Sequence, residues 1–425
     1  MCQEDAVEYI AIIVFVLVMT CIVTEKIHRA VAAIAGAAVL VLTHVLSFDK
    51  AISHIDFNTL GVLMGMMLFV AVVKKSGLFE FVAIKATKIA KGDPWRIMVA
   101  FMLITAVFSA MLDNVTTVLL IAPMTFTITG MLKINPVPFL YTQILASNIG
   151  GTATLIGDPP NIMIGSAAHL SFADFILNDG PVVVIIMIVV IFVMKFVYGR
   201  KMLVDAEHMQ AVMELNPEDA IKSKSLLHKS LVMIVVVAAG FVLHGQLGVE
   251  SGVVALTCAA VLMIIGRADA EEVILDVEWP TIVFFLGLFV VVGGLVETGV
   301  INQLANLMID KTAGYPVVTM LVLLWASALL SAILDNIPFV ATLIPLVQVM
   351  AQNGIDVGPL WWAISLGACL GGNGTLIGAS ANVVVASISG KHGHPITFKD
   401  FFKVGFPVML ITLVISTIYM LVRYA

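Results

Sequence analysis

The chain has 425 residues, of which 60% are hydrophobic and only 12% charged, with a mean hydropathy of +1.09. Soluble domains carry about 45–50% apolar and about 25% charged residues, so this composition excludes a soluble enzyme, a nucleic-acid binder and a disordered chain. The net charge of −6 offers no basic surface, and the four scattered cysteines (Cys2, Cys21, Cys258, Cys369) contain no CxxC pair and imply no disulfide framework.

A helix needs about 20 apolar residues to cross a bilayer. On that criterion spans are expected at 7–24, 28–48, 57–76, 181–200, 228–246, 250–266, 280–298 and 403–423. Glu4, Asp5 and Glu8 precede the first, where a signal peptide would carry basic residues, so it reads as a span. Segments 77–92 and 300–314 read as amphipathic interfacial helices, the first with Lys85, Lys88 and Lys91 at helical spacing. Regions 95–168 and 316–390 are apolar but interrupted by Asp, Asn, Gly, Pro and Thr. Residues 201–225 are polar and read as an aqueous linker.

That linker separates two copies of one design. An offset of 222 places SAMLDNVTTVLLIAPM (109–124) on SAILDNIPFVATLIPL (331–346), and Gly77 on Gly299. An offset of 221 places GGTATLIGDPPN (150–161) on GGNGTLIGASAN (371–382). The expected domains are therefore a first repeat at 1–200 and a second at 226–425, joined by 201–225. If the N-terminus is outside and each repeat crosses five times, 19 of the 22 basic residues fall inside, and only Lys50, Lys311 and Arg423 fall outside. Five is odd, so the repeats are inverted and both termini lie outside. Segments 95–133 and 316–352 are either pairs of full spans or re-entrant hairpins, and this orientation holds for both.

Irregular backbone survives at membrane depth only when buried in protein or lining an aqueous cavity. The Gly- and Pro-bearing strings therefore predict two discontinuous helices, at 137–168 and 359–390. Each break frees N–H groups suited to an anion and carbonyls suited to a cation. Asp113 and Asp335 each lie in a long uncharged run, are followed by Asn114 and Asn336, and are costly to bury, which marks them as functional. The ion- and substrate-binding set is Asp113, Asn114, Thr116, Thr117, Gly150, Gly151, Thr152, Thr154, Asp158 and Asn161 in the first half. In the second half it is Asp335, Asn336, Gly372, Asn373, Thr375, Ser380 and Asn382. Asp113, Asn114, Asp335 and Asn336 suit Na⁺, and a buried Asp also suits a proton carrier. Asp158 falls on Ala379, so one break carries an acid that the other lacks. The competing readings are plainer: helix capping for the LDN aspartates and for Asn161 and Asn382, a turn for Asp158, and close packing for the glycines. His392 and His394 read as a solvated loop, and His44 and His244 as packed within spans.

The strings SAMLDNVTTVLLIAP, SNIGGTATLIGDPPN, LDNIPFVATLIP and GACLGGNGTLIGASANVV resemble the ion transporter superfamily, nearest the branch of the arsenical-pump permease ArsB and the melanosomal P protein. GGTAT…PPN also resembles the sodium-coupled dicarboxylate transporters. The resemblance implies an all-α polytopic inverted-repeat transporter of the elevator type, usually homodimeric, with no cofactor and with H⁺ or Na⁺ as coupling ion. It also selects the re-entrant hairpins. The dicarboxylate relatives carry Ser-Asn-Thr at the hairpin tips, which helps bind sodium and substrate carboxylate. Here Asp113-Asn114-Val115 and Asp335-Asn336-Ile337 stand there, which adds acid and favours proton coupling or cation exchange. The expected function is therefore secondary active anion transport in the plasma membrane. Alternatives are a passive chloride channel, Na⁺/H⁺ antiport and arsenite efflux, the last suggested by Cys369 beside the second break. An intramembrane aspartyl protease would need Asp113 and Asp335 paired as a dyad.

Overall fold

The computed structural model describes residues 3–24, 26–199, 202, 204–312 and 315–425, with side chains from residue 6 onward. Cys2, Arg200, Lys201 and the side chains of Glu4 and Asp5 lie outside the described residues.

The first half contains α1 (Gln3–Thr24), α2 (Arg29–Leu42), α3 (Phe48–Ser53), α4 (Phe57–Lys74), α5 (Leu78–Ile89), α6 (Pro94–Met111), α7 (Asn114–Met131), α8 (Val137–Thr152), α9 (Pro159–Ala168), α10 (Phe172–Asn178) and α11 (Gly180–Tyr198). After α12 (Ala206–Met213) and a 3-10 turn (Pro217–Ala220), the order repeats as α13 (Lys224–Leu247), α14 (Ser251–Gly266), α15 (Ala270–Leu275), α16 (Trp279–Glu297), α17 (Val300–Thr312), α18 (Pro316–Ser331), α19 (Asn336–Gln352), α20 (Gly358–Gly371), α21 (Ser380–Lys391) and α22 (Phe398–Tyr424). No strand occurs among the described residues. Among the described residues, eight helices are long and apolar enough to cross a membrane, and α2, α14, α18 and α19 are shorter apolar helices.

The local chemistry repeats with the sequence. Pro94 and Pro316 open the hairpins, at the first helical position where a missing N–H costs nothing. Gly77 and Gly299 turn the chain into α5 and α17 with φ of 83° and 81°, a conformation that glycine adopts without steric penalty. Ser171 with Asp174, and Thr397 with Asp400, cap α10 and α22 at matched places.

Packing between the halves exchanges partners as a two-fold relation demands. Helix α4 packs on α14, and its counterpart α16 packs on α2. Small residues set that approach. A Cβ on Gly65 would lie 2.6 Å from the Ala255 carbonyl carbon, and one on the equivalent Gly287 would lie 2.5 Å from that of Ala33. Similarly, α9 packs on α19 and α21 on α7, so each broken helix ends against the other repeat's hairpin. Two helical units result: α1, α2, α4, α13, α14 and α16 form one, and the hairpins, broken helices, α11 and α22 form the other.

The loops gather on two opposite faces. Lys75 pairs with Glu272 at 2.7 Å on one, here called the linker face, where Lys222 N also donates to Ser76 O at 3.1 Å. Lys50 pairs with Glu297, and Gln303 donates to Glu8 at 3.1 Å, on the other, the terminal face.

Three expectations need correction. The span expected at 28–48 is not one helix. α2 stops after 14 residues, about 21 Å, and His44 sits exposed in the following turn with φ of 58°. Segment 201–225 is polar but not a free linker. Lys88 Nζ donates to Leu215 O at 3.0 Å, and Val212 is fully buried. The α12 helix and the 3-10 turn are thus docked along α5. Finally, α5 buries Leu78, Phe79, Ala83 and Ile84, so protein covers much of the apolar face expected to meet lipid.

Candidate functional site

The first break begins later than its glycines suggest. Helix α8 runs through Gly150 and Gly151 to Thr152, and the unwound stretch is 153–158. The two glycines serve close packing. A Cβ on Gly150 would lie 2.5 Å from Ala106 Cα, and one on Gly371 would lie 2.6 Å from Ala328 Cα, the matched position. Gly151 likewise meets Gly157, and Gly372 meets Gly378, where each unwound loop folds back on its helix.

The breaks are tied from within. Asn161 Nδ2 faces the carbonyls of Thr154, Thr152 and Gly151 at 3.0, 3.2 and 3.4 Å. Asn382 Nδ2 donates to Gly372 O at 2.7 Å and Thr375 O at 2.9 Å. Neither amide caps its helix. Each satisfies carbonyls that unwinding orphaned, where an unmet bond would be expensive. Thr154 and Thr375 donate to Ala110 O and Ala332 O, anchoring the loops to the two hairpins. Thr152 donates to Asn148 O at 2.7 Å within its own helix. The same network joins the halves: Asn148 Nδ2 donates to Asn373 Oδ1 at 3.0 Å and Asn382 Oδ1 at 3.1 Å, and Asn114 Nδ2 donates to Asn148 Oδ1 at 3.3 Å.

The two tip aspartates differ. Asp113 is buried and caps α7, accepting Thr116 N at 2.8 Å and the Thr116 hydroxyl. Asp335 accepts Ile337 N at 3.3 Å, but its other oxygen accepts Arg29 at 2.9 Å and the Ser380 hydroxyl at 2.9 Å. Arg29 also donates to Ser380 Oγ at 2.5 Å and Thr281 Oγ1 at 3.3 Å, and it lies over the Phe284 ring. In the sequence Arg29 stands only as one of the orienting basic residues. Its signal was available: the repeat-equivalent residue is the uncharged Ser251. Asp158 is fully buried, makes no capping bond, and accepts Asn336 Nδ2 at 3.2 Å.

Both hairpin tips and both breaks meet at one small cavity of about 20 Å³. Asp113, Asn114, Asp158, Asn336 and Ser380 line it, with Arg29, Glu278 and Thr281 from the other helical unit. That volume holds about one water-sized ion. Asp335 instead faces an adjoining vestibule of about 340 Å³, bordered by Ile22, Val23, Ile27 and His28 of the linker face. Asp113 and Asp335 share no hydrogen bond among the described contacts, so they do not form a carboxyl dyad. Nor do Asp113, Asn114, Asp335 and Asn336 form one symmetrical cluster, because Asp335 turns toward Arg29. Thr117 Oγ1 is enclosed without a partner and lines neither cavity. Cys369 is fully buried at the position matching Asn148, 3.4 Å from Asn161 Oδ1, and lines neither cavity.

The helix ends at the breaks are electrically unequal. Helix α21 begins Ser380-Ala381 and keeps its first N–H groups, beside Arg29. Helix α9 begins Pro159-Pro160, which have none, behind the acid Asp158. The second break is therefore the better anion end and the first the better cation end.

Registers between the two helical units are unequal as well. At the linker face, Arg29 bridges Thr281 of its own helical unit to Ser380, the first residue of α21. At the terminal face, Asn58 Nδ2 donates to Ser166 Oγ at 3.2 Å, and Asp56 accepts from that hydroxyl at 3.0 Å. Ser166 stands seven positions beyond Pro159, the counterpart of Ser380, which is about 10 Å along a helix.

A profile of the citrate transporter family, CitMHS, matches residues 19–367. The chain belongs to that family. An uncharacterized transporter of Mycobacterium tuberculosis is 43% identical over 98% of each chain. The 46 kDa membrane protein of Mycobacterium leprae is 40% identical over 98% of each. The P protein of Mus musculus is 33% identical over 96% of this chain and 59% of its own length. Among solved structures, that of the Alcanivorax borkumensis YdaH transporter, described as having an unusual topology, aligns with a TM-score of 0.60 at 17% identity, covering 88% of this chain and 87% of that one. The fold is that of a polytopic membrane transporter, and this chain is an integral multi-pass membrane protein of the transporter type.

Proposed function

We propose that this protein is a secondary active transporter of small anions, coupled to H⁺ or Na⁺ and working by an elevator motion. The observation that carries the reading is the meeting of two hairpin tips, two helix breaks and Arg29 at one buried cavity between two helical units. The anion is assigned to the vestibule, where Arg29, the Ser380 hydroxyl and the free N-terminus of α21 converge. Its volume admits a small carboxylate, and the family name makes citrate the first probe. The coupling ion is assigned to the acidic side, around Asp158, Asp113 and Asn336. The unequal registers support the elevator. Exchanging them between the repeats would slide one unit along the other by about 10 Å and move the vestibule to the opposite face.

With the linker face cytoplasmic and both termini outside, as the basic residues favour, the structure is open inward. The assembly is assigned as a homodimer in the plasma membrane. Arsenite efflux loses its support, because Cys369 is enclosed and bonded to Asn161. The test is uptake of citrate, and then of other small anions, into proteoliposomes under imposed pH and Na⁺ gradients. Uptake driven by one gradient supports the reading, and failure of both gradients with every small anion overturns it.

A further inference from the structure

Asp179, between α10 and α11, is a fully buried acid that the site above does not use. Its side chain makes no capping bond to α11. Its Oδ1 is enclosed without a partner, while Oδ2 lies 2.6 Å from Ser365 Oγ. That hydroxyl oxygen is also 2.7 Å from Asn161 Oδ1. The Asn161 amide cannot turn over, because its oxygen would then face the carbonyls of Gly151, Thr152 and Thr154. Ser365 thus stands between two acceptors with one hydrogen to give. A proton on Asp179 completes the set: Asp179 Oδ2–H donates to Ser365 Oγ, and Ser365 O–H donates to Asn161 Oδ1. The same proton removes charge from a carboxyl group whose other oxygen has no partner.

We propose that Asp179 is a proton-binding site whose occupancy holds the first helix break in place. The proposal rests on the transporter reading and adds to its central acidic cluster a second, proton-binding group that makes transport responsive to pH. When the proton leaves to water, the Ser365 hydrogen swings to Asp179 Oδ2. Asn161 Oδ1 then faces a hydroxyl lone pair and keeps only the Cys369 thiol, at 3.4 Å. Asn161 ties the break that ends at Asp158, and Asp158 accepts Asn336 of the second hairpin tip. Protonation is therefore transmitted to the central cavity through one chain of buried groups.

The device occurs once. Ser171, Asp174, Phe175 and Pro181 match Thr397, Asp400, Phe401 and Pro407, and on that alignment Asp179 falls on Gly405. Ser365 falls on Ile144. It acts on the same break as Asp158, the other buried acid whose repeat counterpart is uncharged. The charged and titratable groups facing Asp179 are Arg423 and Tyr424 of α22 and Cys369 of α20. Arg423 donates to Leu177 O and to the Tyr419 hydroxyl and makes no hydrogen bond to Asp179. Helix α8 offers only Tyr141, near its other end, and α13 offers His244, whose ring bonds Val249 O.

The test uses the full chain in proteoliposomes with citrate as probe. Infrared difference spectra at neutral pH are expected to show the carbonyl stretch of a protonated carboxyl that vanishes in Asp179→Asn. The introduced amide gives Ser365 the same donor, so that variant is expected to stay folded and bind citrate. Its citrate uptake is expected to lose its response to a pH gradient by at least about ten-fold. Ser365→Ala, which cuts the chain, is expected to keep the carboxyl band and lose the same response. Absence of the band in the wild type overturns the proposal, as does an Asp179→Asn protein that follows the pH gradient like the wild type. A wild type with the band that moves no anion under any gradient overturns the transport reading instead, and the coupling role with it.

Discussion

Arg29 donates to Asp335 at 2.9 Å across the boundary between the two helical units, and the repeat supplies no counterpart. The equivalent positions hold Ser251 and Asp113, and those two residues share no hydrogen bond. A charge that the repeat does not duplicate serves one end of the molecule only. Arg29→Ala should therefore weaken citrate binding, because it removes the guanidinium that lines the vestibule beside Ser380. A hydrogen bond to a charged group contributes about 1.5–3 kcal/mol. The Arg29 side chain is 26% exposed, which puts its contribution near the lower bound. The expected loss is about ten-fold in Kd by isothermal calorimetry. An unchanged Kd would remove Arg29 from the anion site.

The unequal registers make a geometric prediction. In a background without native cysteines, Asn58→Cys with Ser166→Cys should cross-link in the state seen here, since the native side chains are 3.2 Å apart. The repeat-equivalent pair, Pro280→Cys with Ser387→Cys, should cross-link only after the units slide. Citrate with an imposed gradient should raise the yield of the second pair at the expense of the first. Yields that do not change with conditions would argue against an elevator.

Stability should be most sensitive where the two halves exchange helices. Gly65 and Gly287 each meet an alanine backbone of the other half at distances no real Cβ tolerates. Gly65→Val and Gly287→Val should each destabilise the protein by about 1–3 kcal/mol or more through overpacking. Thermal unfolding in detergent measures this. The two effects should be similar, because the contacts are related by the repeat. A neutral result at either position would contradict the packing described.

Much of this architecture was legible in the sequence because the duplication wrote it twice. The LDN strings and the two glycine-rich strings located hairpins and breaks to within a few residues. What stayed hidden depended on partners far apart in the chain. Arg29 reads as one of many basic residues on its face, and only the fold shows it reaching Asp335 and Ser380. The glycines Gly150 and Gly151 read as helix breakers, yet the helix continues through them, with Ala106 packed where a side chain on Gly150 would be and Gly157 where one on Gly151 would be. Segment 201–225 reads as solvated because its composition is polar, but α5 offers polar groups such as Lys88 for it to dock against. Composition reports the average environment of a segment, and these three cases turn on individual contacts.

Asn161 and Asn382 occupy matched positions but should not be equally important. Each ties the carbonyls of its own break, so each Asn→Ala change leaves buried acceptors unmet, at about 1–3 kcal/mol per group. Asn382 Oδ1 accepts from Asn148 at 3.1 Å, and Asn148 keeps a second partner in Asn373. Asn161 Oδ1 instead accepts from Ser365 and Cys369, which connect the first break to Asp179. Removing it frees the break and also leaves that buried group without its acceptor. Asn161→Ala should therefore lower thermal stability more than Asn382→Ala, and it alone should alter the pH dependence of citrate uptake. Cys369→Asn restores the residue that the repeat carries at position 148, so it should be tolerated with little loss of stability. Equal losses in the two asparagine variants, with the same pH profile, would show that the two breaks are held alike.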